Sequence, residues 1–124
     1  MEINEAANVL SSLGLEGRLA IFRLLVRAGP RGVKAGDIAG ALSSPPSTLT
    51  ANLNVLSHAG LITRRRDGRM ILYSANFGRM RELLAFLLAD CCNGEPDICV
   101  PLMDVATRAT CCASDAAEYE EMKS

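Results

Sequence analysis

Asp67 and Gly68 stand between two runs of strand-forming residues, at positions 61–66 and 69–74. An Asp-Gly pair flanked in this way is the strongest short-range signal for a β-hairpin. The chain on both sides of this hairpin carries apolar residues at intervals of three and four, the spacing of amphipathic helices. The sequence therefore predicts a mainly α-helical domain with a small β-hairpin, an α+β fold in the order ααααββα.

Four helices are predicted before the hairpin, each ended by glycine, proline or serine. They cover residues 4–13, 15–28 and 35–42, and the fourth starts within residues 43–46 and stops at Gly60. A serine can cap the fourth helix, and Pro45 and Pro46 suit its first turn. Two helices joined by a tight turn and followed directly by a hairpin indicate a winged helix-turn-helix.

A fifth helix is predicted after the hairpin, from Asn76 as its cap to about Cys92. Its apolar residues spread over most of its circumference: Met80, Leu83, Leu84, Phe86, Leu87 and Leu88. The first helix has an apolar stripe of its own, formed by Ile3, Ala6, Ala7, Leu10 and Leu13. A body this small cannot cover both surfaces, so we expect a homodimer built through the first and fifth helices.

Length and charge divide the chain into a domain and a tail. Its 124 residues suit one compact domain plus an appendage, which we place at residues 1–92 and 93–124. Residues 1–89 hold 11 Lys and Arg against 6 Asp and Glu, whereas residues 90–124 hold 2 against 8. The basic body suits a polyanion such as double-stranded DNA, and the acidic tail is expected to stay away from it.

The cellular location determines how the cysteines are interpreted. No uncharged apolar run is long enough to span a membrane, and the N-terminal residues Met1 to Glu5 are acidic where a signal peptide is basic. We therefore expect a cytoplasmic protein with no membrane association. Cytoplasmic thiols stay reduced, so the five cysteines indicate a metal, redox or catalytic site rather than a set of disulfides.

The fourth helix is the predicted recognition helix, because the second helix of a helix-turn-helix lies in the major groove. Its candidate DNA contacts lie opposite the leucine stripe, at Ser47, Thr48, Thr50, Ala51 and Asn54. Asparagine can pair with adenine, hydroxyls can bind bases or phosphates, and alanine can contact a thymine methyl. His58, near the end of this helix, is interpreted as structural.

The hairpin supplies the charge that the recognition helix lacks. No arginine lies on the helix, so most of the affinity is expected from phosphate contacts. The candidate phosphate contacts on the hairpin are Arg64, Arg65, Arg66 and Arg69. A solvated run of charge is the alternative, but its position directly after a helix-turn-helix favours DNA contact.

Cys91 and Cys92 fall at the predicted end of the fifth helix, and Cys99 follows after a turn. Thiolates are soft metal ligands, and no histidine lies nearby to complete a mixed zinc site. Three thiolates neutralise a trivalent ion, which favours As(III) or Sb(III) over a divalent ion. Such an ion would be an inducer and not a required cofactor. A methylated trivalent arsenical needs only two thiols, so either adjacent cysteine pair could hold it.

Several alternatives stay open around this cluster. Asp90, Asp97 or a tail cysteine could be a fourth ligand, and Cys111 and Cys112 could form a second site, add auxiliary ligands or have no function. A thiol redox switch is the alternative trigger. A thiol enzyme is disfavoured, because the chain has no Cys-x-x-Cys motif in a βαβ pattern and its single histidine is remote from the cysteines. A metalloid carrier would leave the helix-turn-helix and the arginines unexplained.

The chain resembles the ArsR/SmtB family of metal-responsive repressors over about residues 4–99. The resemblance is carried by four strings: residues 46–53, residues 58–62, residues 66–69, and Cys91, Cys92, Asn93 and Gly94 followed by Cys99. Within the family the chain is similar to the arsenic-responsive branch, which binds As(III) through three cysteines. The resemblance implies a homodimer, an operator ahead of arsenic-resistance genes, and loss of DNA binding on metalloid capture. No cysteine precedes Cys91, so the Cys-x-Cys site that other members carry beside the DNA-binding helices is absent.

Overall fold

The computed structural model describes residues 1–89, in which Met1–Phe86 pack as one unit. Five α-helices occur there, α1 (Ile3–Leu13), α2 (Glu16–Ala28), α3 (Ala35–Leu42), α4 (Pro46–His58) and α5 (Phe77–Leu88), and a short 3-10 helix at Gly29–Arg31 follows α2. Three strands occur with them, β1 (Val33–Lys34), β2 (Ile62–Asp67) and β3 (Met70–Ala75). The predicted winged helix-turn-helix is confirmed, with α3 and α4 as the helix-turn-helix and β2 and β3 as the wing.

The sequence missed β1, so the observed order is ααβααββα and not ααααββα. This strand has two residues, too few to show the alternation by which strands are predicted. It exists because β3 offers a free edge, on which Val33 pairs with Tyr73 and Lys34 with Leu72. The result is an antiparallel sheet in the order β1-β3-β2.

The tip of the wing lies one residue later than predicted. Asp67 still pairs with Met70, so the two loop residues are Gly68 and Arg69. Gly68 has φ +64°, the left-handed region that favours glycine at the first loop position of a tight hairpin. Arg69 therefore stands at the tip itself.

The start of α4 differs from the prediction of a serine cap. Pro45 occupies the cap position with φ −62° and ψ 145°, and no side chain there bonds to the helix. A residue before a proline is driven to this extended conformation, so the helix cannot begin before Pro46. Ser44 consequently lies one residue too early, and its hydroxyl donates to the carbonyl of Pro45 at 3.5 Å.

The core is formed by one face of each helix and by the inner face of the sheet. Its largest fully buried side chains are Ile21, Leu25, Ile38, Leu56, Leu61 and Val9. On α1 the buried residues are Ala6, Val9 and Ser12, so the predicted stripe contributes Ala6 to the core of this chain, whereas its members Ile3 and Leu10 stay outside it. Those two side chains are 76% and 43% exposed.

Asn76 caps α5 as predicted, because its Oδ1 accepts the backbone N–H of Arg79 at 3.1 Å. The helix extends to Leu88, and the last residues of its predicted range, 90–92, lie outside the described part of the chain. The proposed domain boundary at residues 92 and 93 lies there too and stays a prediction. Among the described helices, none has the length and apolar character needed to cross a membrane.

Candidate nucleic-acid interface

Helix α4 buries one side and exposes the other. Its buried side chains are Leu49, Leu53 and Leu56, as predicted, together with Asn52. The candidate base contacts Ser47, Thr48, Thr50, Ala51 and Asn54 are all exposed. At 3.6 residues per turn these five positions form one continuous arc opposite the buried side, so a single groove can contact all of them.

The two threonines lie at the margins of this arc. Thr48 borders a hollow of about 390 Å³ between α2 and α4, which it lines together with Glu16 and Asn52. The Thr50 hydroxyl donates to the carbonyl of Pro46 at 2.9 Å, so its proton is used inside the helix. Its oxygen lone pairs and methyl group stay available to a partner.

Two further residues lie on the same arc, Val55 and His58. Both are exposed, and they line a second hollow of about 260 Å³ with Asn8 and Ser12 of α1. The His58 ring nitrogen Nδ1 lies 3.3 Å from the carbonyl oxygen of Asn54, so its Nε2 is directed away from the helix backbone. Val55 and His58 follow Ala51 by four and seven residues, a spacing that places all three on one helix face. This signal was not used in the prediction of DNA contacts from the sequence.

The sheet register divides the wing arginines between two faces. Ile62 pairs with Ala75 and both are buried, which identifies the face of the sheet that packs on the helices. Side chains alternate along a strand, so Arg64 and Arg66 project from this face and Arg65 from the opposite one. All three are exposed, because the wing extends beyond the helices that cover Ile62.

Arg65 lies on the same side of the sheet as two basic residues, Arg31 and Lys34, which the sequence analysis did not include among the candidate DNA contacts. Its guanidinium Nη2 donates to the carbonyl of Arg31 at 3.0 Å. Lys34 and Arg65 both pair with Leu72, from opposite sides of the central strand, so they share the outer face of the sheet. Arg31 and Lys34 are exposed, and they extend the basic surface to the N-terminus of α3.

The charge of these residues is not neutralised within residues 1–89. The ion pairs found there all belong to Arg79, with Glu5 and Glu82. The arginines of the wing, together with Arg31 and Lys34, therefore present free positive charge in that part of the chain. An exposed polar helix arc beside such a surface fits the major groove and the phosphates of a nucleic acid.

The predicted metal ligands Cys91, Cys92 and Cys99 lie outside the described residues, as do Cys111 and Cys112. Within residues 1–89 there is no group of three His, Cys, Asp or Glu side chains placed to hold a metal ion. The cysteine assignment thus stays a prediction from the sequence.

The helix-turn-helix, the basic wing and the exposed recognition arc define a winged helix DNA-binding protein. A sequence family described as a helix-turn-helix domain matches residues 17–65. An uncharacterised HTH-type transcriptional regulator of Methanocaldococcus jannaschii is 30% identical over 80 residues, which cover 64% of this chain and 88% of that protein.

Solved structures that are similar to this chain are also described as possible transcriptional regulators. A possible transcriptional regulator for arsenical resistance is 26% identical, with a TM-score of 0.57, over 64% of this chain and 80% of that one. A homodimeric winged helix-turn-helix domain from Mycobacterium bovis, a possible ArsR-family regulator, is 27% identical over 71% and 82%, with a TM-score of 0.56. The chain belongs to the HTH-type transcriptional regulators. It is a DNA-binding regulator and not an enzyme.

Proposed function

We propose that this regulator is a cytoplasmic, dimeric repressor of arsenic-resistance genes that leaves its operator when its cysteines bind As(III) or Sb(III). The observation that carries the DNA-binding part is the exposed polar arc of α4 followed directly by a wing whose arginines form no ion pair within residues 1–89. The cysteine spacing in the sequence supports the trigger, and one structural neighbour is described as a possible regulator for arsenical resistance.

On DNA, the arc of α4 enters the major groove and the wing follows the flanking backbone. Asn54 is the residue best suited to read a base, because its exposed carboxamide offers the donor and acceptor pair that adenine requires. Ala51 contacts a thymine methyl, and Ser47 binds a base or a phosphate. Arg64, Arg66 and Arg69 supply phosphate contacts, which carry affinity and little sequence preference.

The dimer is proposed to form through α1 and α5. Ile3 and Leu10 on α1 and Leu84 on α5 are 76%, 43% and 47% exposed, although each is a large apolar side chain. Burying such side chains against a second copy removes apolar surface from water, at roughly 25 cal/mol per Å². The homodimeric neighbour from Mycobacterium bovis supports a homodimer, and the choice of α1 and α5 rests on their exposed apolar residues.

The trigger is proposed to be ligand exchange at Cys91, Cys92 and Cys99. Arsenite enters as As(OH)₃, and each of the three thiols replaces one hydroxide, so that three As–S bonds form and three waters leave. No electrons are exchanged, and the oxidation state of arsenic does not change. Three thiolates match the charge and softness of a trivalent arsenic or antimony centre.

Binding of the ion is expected to weaken operator binding through negative coupling between the two sites. A coupling of about 1–3 kcal/mol, or roughly 5–150-fold in affinity, is typical of such regulators. Ligand capture at the end of a dimer helix can change the relative pose of the two recognition helices, which a palindromic operator requires to be fixed.

Mass spectrometry of the native, reduced protein titrated with arsenite tests the ligand set. One arsenic per subunit, with loss of three water equivalents, is expected for the wild type. Cys91→Ser, Cys92→Ser and Cys99→Ser should each abolish the three-thiol adduct. Retention of that adduct in any of the three variants would show that the replaced cysteine is not a ligand. The Cys111→Ser, Cys112→Ser double variant measures what the second cysteine pair contributes to binding.

A further inference from the structure

The turn between the recognition helix and the wing is held by the start of α5. Three successive carbonyls in this turn each accept a hydrogen bond from Asn76 or Arg79. Ala59 accepts from Arg79 Nε at 3.4 Å, Gly60 from Asn76 Nδ2 at 2.9 Å, and Leu61 from the backbone N–H of Asn76 at 2.8 Å. The turn that joins α4 to the wing is therefore held by a hydrogen bond at each of these three carbonyls, which restricts movement of α4 relative to the wing.

Arg79 also connects this turn to α1. Its Nη1 lies 3.5 Å from Glu5 Oε2 on α1 and 3.2 Å from Glu82 Oε2 on α5. The Arg79 side chain is only 23% exposed, so these pairs are partly shielded from solvent. One guanidinium thus bridges α1, the end of α4 and α5.

Gly60 provides the space for this bridge. Its φ is +77°, and a Cβ built on it would lie 3.4 Å from Arg79 Nε. The arginine stem therefore packs directly on the glycine, which brings its Nε within reach of the preceding carbonyl. The backbone at Gly60 and the side chain of Arg79 are therefore complementary in shape.

The bridged helices α1 and α5 are those that carry the exposed apolar residues Ile3, Leu10 and Leu84. Arg79 consequently stands between the proposed dimer face and the recognition helix. In a dimer, any movement of α4 relative to α1 and α5 changes the distance between the two recognition helices. Since DNA advances about 3.4 Å and rotates about 34–36° per base pair, a small movement changes which half-site spacing fits.

We propose that Arg79 is a positioning residue for operator recognition: it fixes α4 to α1 and α5 and thereby sets the half-site spacing that the dimer accepts. The inference rests on the proposed function, because it requires a dimer built through α1 and α5. Arg79 itself contacts no base, so its removal should alter the preference for spacing and leave the preference for bases unchanged.

The test uses an operator selected from random duplexes by the reduced wild-type protein, with its centre lengthened or shortened by one and two base pairs. Fluorescence anisotropy measures the affinity of each duplex for the wild type, Arg79→Gln, Arg79→Lys, Glu5→Gln and Arg81→Gln. Arg81 is the matched control, because it is an exposed arginine on the same helix and forms no hydrogen bond or ion pair within residues 1–89.

The wild type and Arg81→Gln are expected to lose about tenfold in affinity for each added or removed base pair, on the scale of one site defect. For Arg79→Gln the loss should fall to about twofold, with the base preference within each half-site retained. Arg79→Lys keeps the charge but has no planar fork to reach Glu5 and the Ala59 carbonyl together, so it should resemble Arg79→Gln. Glu5→Gln removes only the link to α1 and should give an intermediate profile.

A folded Arg79→Gln protein with the wild-type spacing profile would overturn the proposal, and so would an equal loss of affinity for every spacing. If Arg79→Gln does not fold, a wild-type profile for Glu5→Gln overturns it instead. A wild type with base preference but no spacing optimum would contradict the dimeric repressor itself, and is distinguishable from both results.

Discussion

Arg65 donates a hydrogen bond from Nη2 to the carbonyl of Arg31 at 3.0 Å, across the outer face of the sheet. This bond connects β2 to the turn that precedes β1, and it separates Arg65 from its neighbours Arg64 and Arg66. A run of three arginines that looks uniform in the sequence is therefore two different surfaces in the fold. Arg64 and Arg66 project from the face of the sheet that carries the buried pair Ile62 and Ala75, and Arg65 projects from the opposite face.

This division predicts unequal effects on DNA binding. Replacing Arg64 and Arg66 by glutamine should make the plot of log affinity against log salt shallower. The magnitude of its slope should fall by about 0.9 for each phosphate that the protein no longer neutralises. Arg65→Gln should lower it by less, since that guanidinium is held on the opposite face. The measurement is operator affinity between low and physiological salt, with the exposed Arg27→Gln on α2 as the control of equal charge change. Equal slopes for Arg64→Gln and Arg65→Gln would contradict the assignment of faces.

The two asparagines of α4 should separate base reading from stability. Asn54 is exposed, so Asn54→Ala should reduce discrimination at one base pair by about 1–3 kcal/mol and leave the Tm unchanged. Asn52 is 8% exposed and packs beside Gly17. Asn52→Ala should cost about 0.5–3 kcal/mol of folding free energy without changing the base preference. Affinities for a panel of single-base operator variants and thermal unfolding curves check both, and the reverse pattern would refute the orientation of α4.

Gly60 should be intolerant of a side chain. Gly60→Ala places a Cβ at φ +77° and against Arg79, so a loss of about 1–2 kcal/mol in unfolding free energy is expected. Gly40→Ala on α3 is the matched control, because nothing lies within 4 Å of its Cβ position. It should stabilise the protein by about 0.5–1 kcal/mol, since alanine is the better helix former. Denaturant unfolding measures both changes, and equal effects would show that Gly60 is not a constrained position.

Much of this fold follows from local signals in the sequence. The bounds of α3 were predicted residue by residue, since glycine and serine limit a short apolar repeat, and Asn76 caps α5 as expected. Helical spacing predicted which leucines of α4 are buried. The same spacing therefore predicted the exposed candidate DNA contacts on the opposite side of the helix. These features depend on residues close together in the chain.

The features that were missed depend on contacts between distant residues. Strand β1 exists only through its pairing with β3, and the division of the arginines follows from a register that Ile62 and Ala75 determine by burial. Val9, which the predicted stripe on α1 omitted, is buried in the core, on a helix that contacts α2 and α4. Similarly, no local pattern indicates that Arg79 reaches Ala59 and Glu5.

The exposed apolar residues of α5 should control assembly. Leu84→Asp introduces a charge into the proposed dimer face and should shift the protein to monomer at micromolar concentration, because an unpaired charge is costly to bury. Leu19→Asp on α2 is the control, since Leu19 is 44% exposed and Leu84 is 47% exposed. Sedimentation equilibrium distinguishes the two. A dimer that persists in Leu84→Asp, or dissociates in Leu19→Asp, would place the dimer face elsewhere.

The most direct test of the account is the anisotropy of a labelled, selected operator bound to the reduced protein, recorded with and without arsenite. The account predicts that arsenite weakens binding by roughly 5–150-fold in the wild type and has no effect on Cys91→Ser, which still binds DNA. Peroxide in place of arsenite should leave the wild-type complex intact. Unchanged operator binding in the presence of arsenite, or release by peroxide alone, would contradict a metalloid-triggered repressor.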